Sequence, residues 1–354
     1  MSPSVAIQSI GVAMPPIVRT NDFWSPELTD KWMAGRRRGA EIPMPPADTP
    51  AVHKVRMAMA EVAQDPFCGS VKRHVLPKDT PPSALEEQAA RDALDRAGVD
   101  VAEIDFILHY GTTGDFLVHP NACLVHERLG LPKACLSISV DGVCNAFQLQ
   151  LHLADQLLQG GRYKKGLLVQ SALFSWLNPE DAPYAPWCGD AATAQVVALG
   201  ERGGLIADVH RTDSSLSGGV VVGNTAGHWT DGDIYAYLND KDRSRRMLEG
   251  VADLGIAVVQ PALKAAGLKA CDIDFYASHQ ASAWFRSVTQ DVLGLEHAKS
   301  VDTFPWAASV AAANLPLVMA TAEREGLLVE GDLIAMYSGG SGVTFSSSIL
   351  RWGR

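Results

Sequence analysis

Apolar and polar positions along the chain form two segments that nearly repeat one another. They are ALDRAGVDVAEIDF at 93–106 and ALKAAGLKACDIDF at 262–275, and their identical positions keep a constant offset. Each pattern predicts an amphipathic helix that ends at a glycine, followed by a short loop and a β-strand. The chain is therefore expected to contain a duplicated helix–strand unit.

The same order of elements recurs further along both units. Helical patterns at 145–161 and 309–326 are each followed by a continuous apolar run, at 166–174 and 332–340. Continuous apolar runs of this length are typical of buried strands. Strands that alternate with helices predict a layered α/β fold, and the repetition predicts two similar halves that share one core. We place these halves at 1–198 and 199–354.

Two stretches, 37–80 and 212–247, do not follow the repeated pattern. Long irregular insertions form either solvated loops or the lids and walls of pockets. We expect solvated surface loops here, since that is the more common outcome.

Composition excludes several classes of protein. The chain has 354 residues, 47% of them hydrophobic, and a net charge of -10, which disfavours a nucleic-acid partner. No run approaches the about 18 apolar residues of a membrane span, and the start of the chain lacks a secretion signal, so we expect a cytoplasmic protein. Six cysteines without a C-x-x-C pair indicate neither a zinc site nor a disulfide framework, and no metal is predicted.

Cys144 lies between the β-pattern CLSISVDG and the helical pattern that follows it. A thiol at a helix N-terminus is close to the positive end of the helix dipole, which favours the thiolate, and to free N–H groups that bind an oxyanion. Cys144 is therefore a candidate nucleophile. The alternative is a buried structural cysteine.

His279 follows the β-pattern of the second unit, within the sequence SHQAS. At that position it could act as a general acid or base, or it could be a hydrogen-bonded core residue. The glycine cluster SGGSGVTF at 338–345 allows close approach to a ligand, although a tight turn explains it equally well, and the small residues of GDAATA at 189–194 allow close packing of a turn. The chain has no P-loop.

Taken together, VDGVCNAF, CGDAATA, SHQAS and GGSGVTF resemble, in this order, the β-ketoacyl-ACP synthase III branch of the condensing enzymes. The resemblance covers nearly the whole chain. It implies the five-layered α/β/α/β/α thiolase fold, with Cys144 as the acyl-accepting cysteine and His279 as the active-site histidine. It also implies a homodimer formed through the strand GLLVQSA, and coenzyme A or phosphopantetheine thioesters as co-substrates without a permanently bound cofactor.

The resemblance also suggests binding residues. Trp32 and Arg36 match residues that hold the adenine end of coenzyme A, a role that suits an indole and a guanidinium. The oxyanion hole would use the backbone N–H groups of Cys144 and Ser341.

Three positions differ from the family pattern. Ser309 replaces the asparagine that, with the histidine, holds the malonyl thioester oxygen, and its shorter side chain is expected to fall short of that oxygen. Ser282 replaces a second asparagine. His119 replaces the bulky residue that reaches into the partner's acyl tunnel, so the acyl or acceptor pocket is expected to differ. Asn314 lies on another part of its helix, which disfavours it as a substitute for the missing amide.

These features favour an acyltransferase of polyketide or other specialised metabolism. An acyl group from acyl-CoA or an acyl carrier protein would be loaded on Cys144, and His279 would then activate a hydroxyl, amine or thiol acceptor. Decarboxylative Claisen condensation with malonyl-ACP is the alternative, and a catalytically silent partner subunit is a third. The basic runs at 36–38 and 243–246 could dock an acidic carrier protein or be solvated.

Overall fold

The structure is a computed structural model that describes residues 3–40, 46–225, 228 and 230–353. Its strands are β1 (Val5–Ala13), β2 (Ile17–Thr20), β3 (Lys72–Val75), β4 (Phe106–Gly111), β5 (Leu136–Ser139), β6 (Lys165–Leu173), β7 (Asp190–Leu199), β8 (Gly204–Thr212), β9 (Val220–Gly223), β10 (Tyr235–Leu238), β11 (Phe275–Ser278), β12 (Leu333–Gly340) and β13 (Thr344–Arg351). Its helices are α1 (Pro26–Ala40), α2 (Pro50–Val62), α3 (Pro82–Ala97), α4 (Asn121–Leu129), α5 (Ala146–Gln159), α6 (Phe174–Leu177), α7 (Lys241–Glu249), α8 (Val251–Ala266), α9 (Phe285–Val292), α10 (Phe304–Ala307) and α11 (Asn314–Arg324). None of these helices is both long and apolar enough to cross a membrane.

Two sheets of the same design form the centre of the molecule. The first has the strand order β1-β7-β6-β4-β5, and the second has the order β8-β13-β12-β11. In both sheets the first two pairings are antiparallel and the third is parallel. The repeat seen in the sequence is thus a repeat of sheet topology.

The helices α5 and α11 lie between the two sheets. Phe147 and Leu151 of α5 and Val318 of α11 belong to one buried cluster with Phe106 of the first sheet and Ile334 of the second. These helices bury apolar side chains against a sheet on each side. Both of their sequences are accordingly rich in leucine and alanine.

Further helices cover the outer faces of the sheets. Ala93 of α3 and Val125 of α4 pack against the first sheet, and Val259 of α8 and Phe285 of α9 pack against the second. The layers are therefore helix, sheet, helix, sheet and helix. This confirms the thiolase-like α/β fold that the sequence predicted.

The position of β6 corrects one expectation. This strand contains GLLVQSA and is paired along its length with β7 on one side and β4 on the other. An interior strand has no free N–H or C=O groups to pair across a subunit interface. The prediction of dimerisation through this strand is therefore wrong, and the edge strand next to β4 is β5.

The two insertions also differ from the expectation. The first contains α2 and β3, and the second contains the hairpin of β9 and β10 and most of α7. Residues 41–45 of the first, and 226, 227 and 229 of the second, lie outside the described part of the chain. These elements pack on both halves: Val55 of α2 and Leu216 are buried in the core of the second half, and β3 pairs with β2 of the first half.

Candidate active site

One cavity, with a volume of about 430 Å³, contains both Cys144 and His279 in its lining. The walls come from both halves of the molecule, because Cys144 precedes α5 and His279 follows β11. Ser282 and Ser341 also line this cavity. With Arg36, which lines the same cavity, the structure brings together five residues that the sequence singled out.

The backbone turns sharply at the cysteine. A short 3₁₀ turn at Val143–Asn145 separates β5 from α5, and Val143 has a φ of 51°. A β-branched residue adopts this left-handed region only when its surroundings impose it. The strained turn directs Cys144 to the cavity at the start of the central helix.

Buried polar side chains hold this start of α5 against the second sheet. Asn145 Nδ2 donates to Ser346 Oγ at 2.8 Å, and Ser338 Oγ donates to Asn145 Oδ1 at 2.7 Å. Gln148 Nε2 donates to Ser338 Oγ at 2.7 Å, and Ser348 Oγ donates to Gln148 Oε1 at 2.8 Å. Because these groups are buried, losing one partner would leave another without a hydrogen bond. The network fixes the nucleophile relative to the other half of the molecule.

His279 is positioned by its neighbours in the chain. Its backbone N–H donates to Tyr337 O at 2.9 Å, and its side chain is only 3% exposed. Asn314 Oδ1 accepts from the backbone N–H of Gln280, and Asn314 Nδ2 donates to Thr303 Oγ1 at 3.1 Å. Asn314 does not belong to the described lining of the cavity. Both ends of its amide are used to hold the histidine loop, so it is not free to replace a missing catalytic amide.

Gly340 lies directly against the turn that carries the nucleophile. A Cβ at this position would overlap with Gly142 O and lie 3.3 Å from Cys144 N. The turn at Gly340 and Ser341 is therefore adjacent to the backbone N–H of Cys144. This is the arrangement that an oxyanion hole made from these two segments requires.

Positive φ angles in residues other than glycine are concentrated at this site. Among the described residues they occur at Cys68, Val143, Ala308 and Ala311. Cys68 lines the cavity, Val143 precedes the nucleophile, and the two alanines lie on either side of Ser309. Backbone strain of this kind is typical of functional sites, where the surrounding structure maintains it.

Burial makes both reactive groups neutral. Desolvation raises the pKa of Cys144 to about 12, and the nearby thiol of Cys188 acts in the same direction, while the N–H of Cys144 opposes the change. Desolvation lowers the pKa of His279 to about 4, opposed by a hydrogen bond to the backbone of Ala311. The expected stabilisation of the thiolate by the helix dipole is thus outweighed by burial. Cys144 is a thiol at neutral pH, and a neutral His279 can accept its proton.

Ser309 is nearly buried and is outside the described lining of the cavity. Its backbone N–H donates to Trp187 O at 2.8 Å, and its carbonyl accepts from Gly189 N at 3.0 Å. This bridge places Ser309 beside Cys188. Cys188, which directly precedes GDAATA, lies near Cys144. The local sequence around Cys188 gives no indication that the nucleophile is its neighbour.

Trp32 and Arg36 have structural contacts that the sequence did not predict. Trp32 is 6% exposed, packs against Trp24, and donates from its indole N–H to Asp181 O at 2.9 Å. Arg36 donates to Asp65 O at 2.7 Å and to two other backbone carbonyls. An indole covered in this way offers no open face to an adenine ring unless its neighbours move. Arg36, by contrast, lines the cavity.

His119 does not line the described part of the cavity in its own chain. It lies in an exposed segment with Phe116, Leu117 and Val118, of which Val118 is 90% exposed.

The insertions supply part of the cavity wall. Met59, Val62 and Cys68 come from the first insertion, and Met247 comes from the second. The expectation that both insertions are solvated loops is therefore wrong. The sequence of α2 has only a weak helical pattern of apolar and polar residues. Its buried face could therefore not be assigned from the sequence.

Comparisons with known proteins agree with this geometry. Family models described as 3-oxoacyl-[acyl-carrier-protein] synthase III and its C-terminal part match residues 138–214 and 263–352. A β-ketoacyl-[acyl-carrier-protein] synthase III of Mesorhizobium japonicum is 28% identical over 297 residues, 80% of this chain and 88% of the relative. The corresponding protein of Erythrobacter litoralis is 31% identical over 295 residues, with the same coverage. The chain belongs to the β-ketoacyl-ACP synthase III family.

Solved structures of other proteins have the same fold as this chain. The synthase III (FabH) of Pseudomonas aeruginosa aligns with a TM-score of 0.76 and 25% identity over 99% of both chains. A Xanthomonas campestris OleA variant with bound lauric acid and lauroyl-CoA aligns with a TM-score of 0.78 and 20% identity over 99% of this chain and 100% of the neighbour. The two matched family models include Cys144 and His279, respectively.

The low pKa of His279 predicts how acylation of this family member depends on pH. His279 accepts a proton only when neutral, so the rate of Cys144 acylation should remain high until the pH falls towards about 4. Single-turnover acylation followed by mass spectrometry between about pH 4.5 and 8 measures this. His279→Gln should be slow throughout that range. A wild-type rate that falls by half near about pH 6.5, the ordinary histidine value, would contradict the lowered pKa of His279, and equal acylation rates in the wild type and in His279→Gln would contradict its assignment as the base.

The close approach of Gly340 predicts a strong effect of a single methyl group. Gly340→Ala should displace the turn from Cys144 N and slow acylation by about 10²-fold, the usual cost of one oxyanion donor. Gly339→Ala is the matched control, because the nearest atom to its added Cβ would be 3.6 Å away. Equal acylation rates in the two variants would argue against an oxyanion hole at this turn.

Proposed function

We propose that this protein is an acyltransferase that carries an acyl group on Cys144 and passes it to a hydroxyl, amine or thiol acceptor. The donor is acyl-CoA or an acyl carrier protein, and the setting is cytoplasmic polyketide or other specialised metabolism. The observation that carries the proposal is the composition of the cavity around Cys144 and His279.

No asparagine, glutamine or acidic side chain lines the described cavity, and Ser309 lies outside it. Decarboxylation of a malonyl thioester requires donors that hold the enolate oxygen, and loss of one donor costs about 10²- to 10³-fold in rate. His279 is the only imidazole or amide donor among the described lining side chains. This composition supports acyl transfer over condensation, because formation of the acyl-enzyme does not need that second donor.

In the proposed first half-reaction, Cys144 Sγ attacks the thioester carbonyl and His279 takes the thiol proton. The N–H groups of Cys144 and Ser341 hold the oxyanion of the tetrahedral intermediate. When this collapses, the C–S bond to the donor breaks, and His279 returns the proton to the departing pantetheine thiol.

In the second half-reaction His279 deprotonates the acceptor, which attacks the acyl-cysteine. The bond between the acyl carbon and Sγ breaks, and the cysteine recovers its proton from His279. A neutral thiol and a neutral imidazole at rest, as burial dictates here, suit a base that accepts and returns one proton in each half-reaction.

A route for the donor is available beside the cavity. A surface cleft lined by Lys31, Trp32 and Arg38 shares Arg36 and Trp187 with the cavity. Its cationic residues favour the phosphates of coenzyme A or an acidic carrier protein.

The other basic run is less available to a donor. Arg243 Nε lies 3.3 Å from Asp240 Oδ2, and Arg245 Nη2 lies 2.6 Å from Asp242 Oδ1. Because these guanidinium groups already face carboxylates, the cleft beside the cavity is the better docking site for an anionic carrier.

The acceptor side of the cavity is apolar with few polar groups. Ser282 Oγ and His279 Nδ1 are buried and have no hydrogen-bond partner among the described residues. Buried polar atoms normally find partners, so a substrate hydroxyl, amine or carbonyl would satisfy them. With walls such as Met59, Val251 and Phe285, this favours an apolar substrate that carries one polar group.

We also propose a homodimer. Phe116, Leu117 and Val118 form an exposed apolar segment, and such patches are typical of protein interfaces. If this segment packs on a second copy, the neighbouring His119 would act at the acyl or acceptor pocket of that copy.

Decarboxylative condensation remains the second candidate, since the relatives are named β-ketoacyl-[acyl-carrier-protein] synthase III. It would require Ser309 or a water molecule in the position of the missing amide. A third candidate, a silent partner subunit, would not form an acyl-enzyme.

Formation of an acyl-enzyme tests the proposed role of Cys144. Intact-mass spectrometry after incubation with acyl-CoA of several chain lengths should show one acyl group per chain. Cys144→Ala should abolish this mass, whereas Cys188→Ala, which removes the neighbouring thiol, should retain it. Absence of acylation in the wild type, or its persistence in Cys144→Ala, would contradict the proposal and favour a silent subunit.

The yield of β-ketoacyl product distinguishes acyl transfer from condensation. With acyl-CoA and malonyl carrier protein, the wild type should form little β-ketoacyl product, and Ser309→Asn should increase it by up to about 10²-fold by restoring an amide donor. Ser214→Asn, at an exposed serine, is the control. Abundant β-ketoacyl product from the wild type would instead establish condensation.

A further inference from the structure

A second cluster of reactive side chains lies where α5 contacts β8, outside the described cavity lining. His152 Nδ1 is 2.7 Å from Asp208 Oδ2, and His210 Nε2 is 2.8 Å from the same oxygen. The two imidazole rings are 4.7 Å apart between centroids. Asp208 and His210 are two positions apart in a strand, so both face α5.

The donor set is that of a metal site. Two imidazole nitrogens and one carboxylate oxygen all lie within 4.8 Å of one another. Ligands at about 2.1 Å from a tetrahedral Zn²⁺ are about 3.4 Å apart, so the two short contacts to Asp208 would lengthen by less than about 1 Å. Small side-chain rotations are enough for that change. Imidazole with carboxylate favours Zn²⁺, Co²⁺ or Ni²⁺ over Mg²⁺ and Ca²⁺.

The surroundings support ligation. His210 Nδ1 lies 2.7 Å from Ser346 Oγ, so the hydroxyl can hold the imidazole with Nε2 towards Asp208. Histidine ligands commonly use their second nitrogen in this way. The side chains of His152, Asp208 and His210 are 40%, 20% and 23% exposed, which leaves a path for an ion and for water ligands.

We propose that His152, Asp208 and His210 bind one divalent transition-metal ion of the Zn²⁺ class. The ion joins the nucleophile helix α5 to β8 and so links the two halves of the molecule. Ser346 Oγ also accepts from Asn145 Nδ2 at 2.8 Å, which connects the metal site to the residue after Cys144. The site is independent of the acyl-transfer reaction proposed above. The linear pattern contains no sign of it, because His152 is distant along the chain from Asp208 and His210.

Titration of the metal-free, full-length protein with Zn²⁺ and with Co²⁺ tests this site. Calorimetry should show one saturable ion per chain, and Zn²⁺ should raise the midpoint of thermal unfolding. Asp208→Asn and His210→Gln should each weaken binding by about tenfold or more and remove the thermal shift. His297→Gln, at an exposed histidine outside the cluster, and Cys144→Ala should bind as the wild type does.

Circular dichroism establishes that each variant is folded. Asp208→Asn keeps the size of the side chain and one oxygen that can accept a hydrogen bond. If His210→Gln does not fold, His152→Gln is tested instead, because His152 is the most exposed residue of the cluster. Absence of saturable binding would overturn the proposal, and the cluster would then be only a set of hydrogen bonds between α5 and β8. Binding that is unchanged in the folded cluster variants, or lost in Cys144→Ala, would overturn it as well.

Discussion

The contact of Gly340 with the turn of Gly142 and Cys144 is the constraint on which the site depends. It brings the end of a strand in one half against the start of the central helix in the other, with no room for a side chain between them. The buried hydrogen bonds of Asn145 and Gln148 to the second sheet keep this contact in register. Two chain segments far apart in sequence therefore meet beside the backbone N–H of Cys144, which is the adjacency that the proposed oxyanion hole requires.

The burial that assembles the site also lowers the stability of the folded protein. Within the described part of the chain, His279 Nδ1 and Ser282 Oγ have no hydrogen-bond partner, and residues other than glycine adopt left-handed backbone conformations at the cavity. Exceptions of this kind are expected where function opposes stability. The reactive thiol and imidazole remain neutral because protein has replaced the water that would otherwise stabilise their charged forms. The proposed acyl transfer then depends on passing a proton between them.

Much of the fold and part of the site could be predicted from the sequence. The segments at 93–106 and 262–275 predicted a duplication, which the matching strand order of the two sheets confirms. The motifs around Cys144 and His279 predicted the family, and both residues line one cavity. The expectations for GLLVQSA and for the insertions were wrong, and the indole of Trp32 is covered by its neighbours. Each concerned which surface of an element is covered, and a linear pattern does not specify the neighbour that covers it.

The sequence by itself determined the elements, their order and their repetition, because hydrophobic periodicity and glycine caps act over a few residues. It also supplied the candidate nucleophile, the candidate base and the missing asparagine at position 309. Only the tertiary structure decided that Asn314 holds the histidine loop, that Cys188 lies near the nucleophile, and that His152 meets Asp208 and His210. Those relations arise when the two sheets close around α5 and α11, and packing over such distances leaves no local signal in the chain.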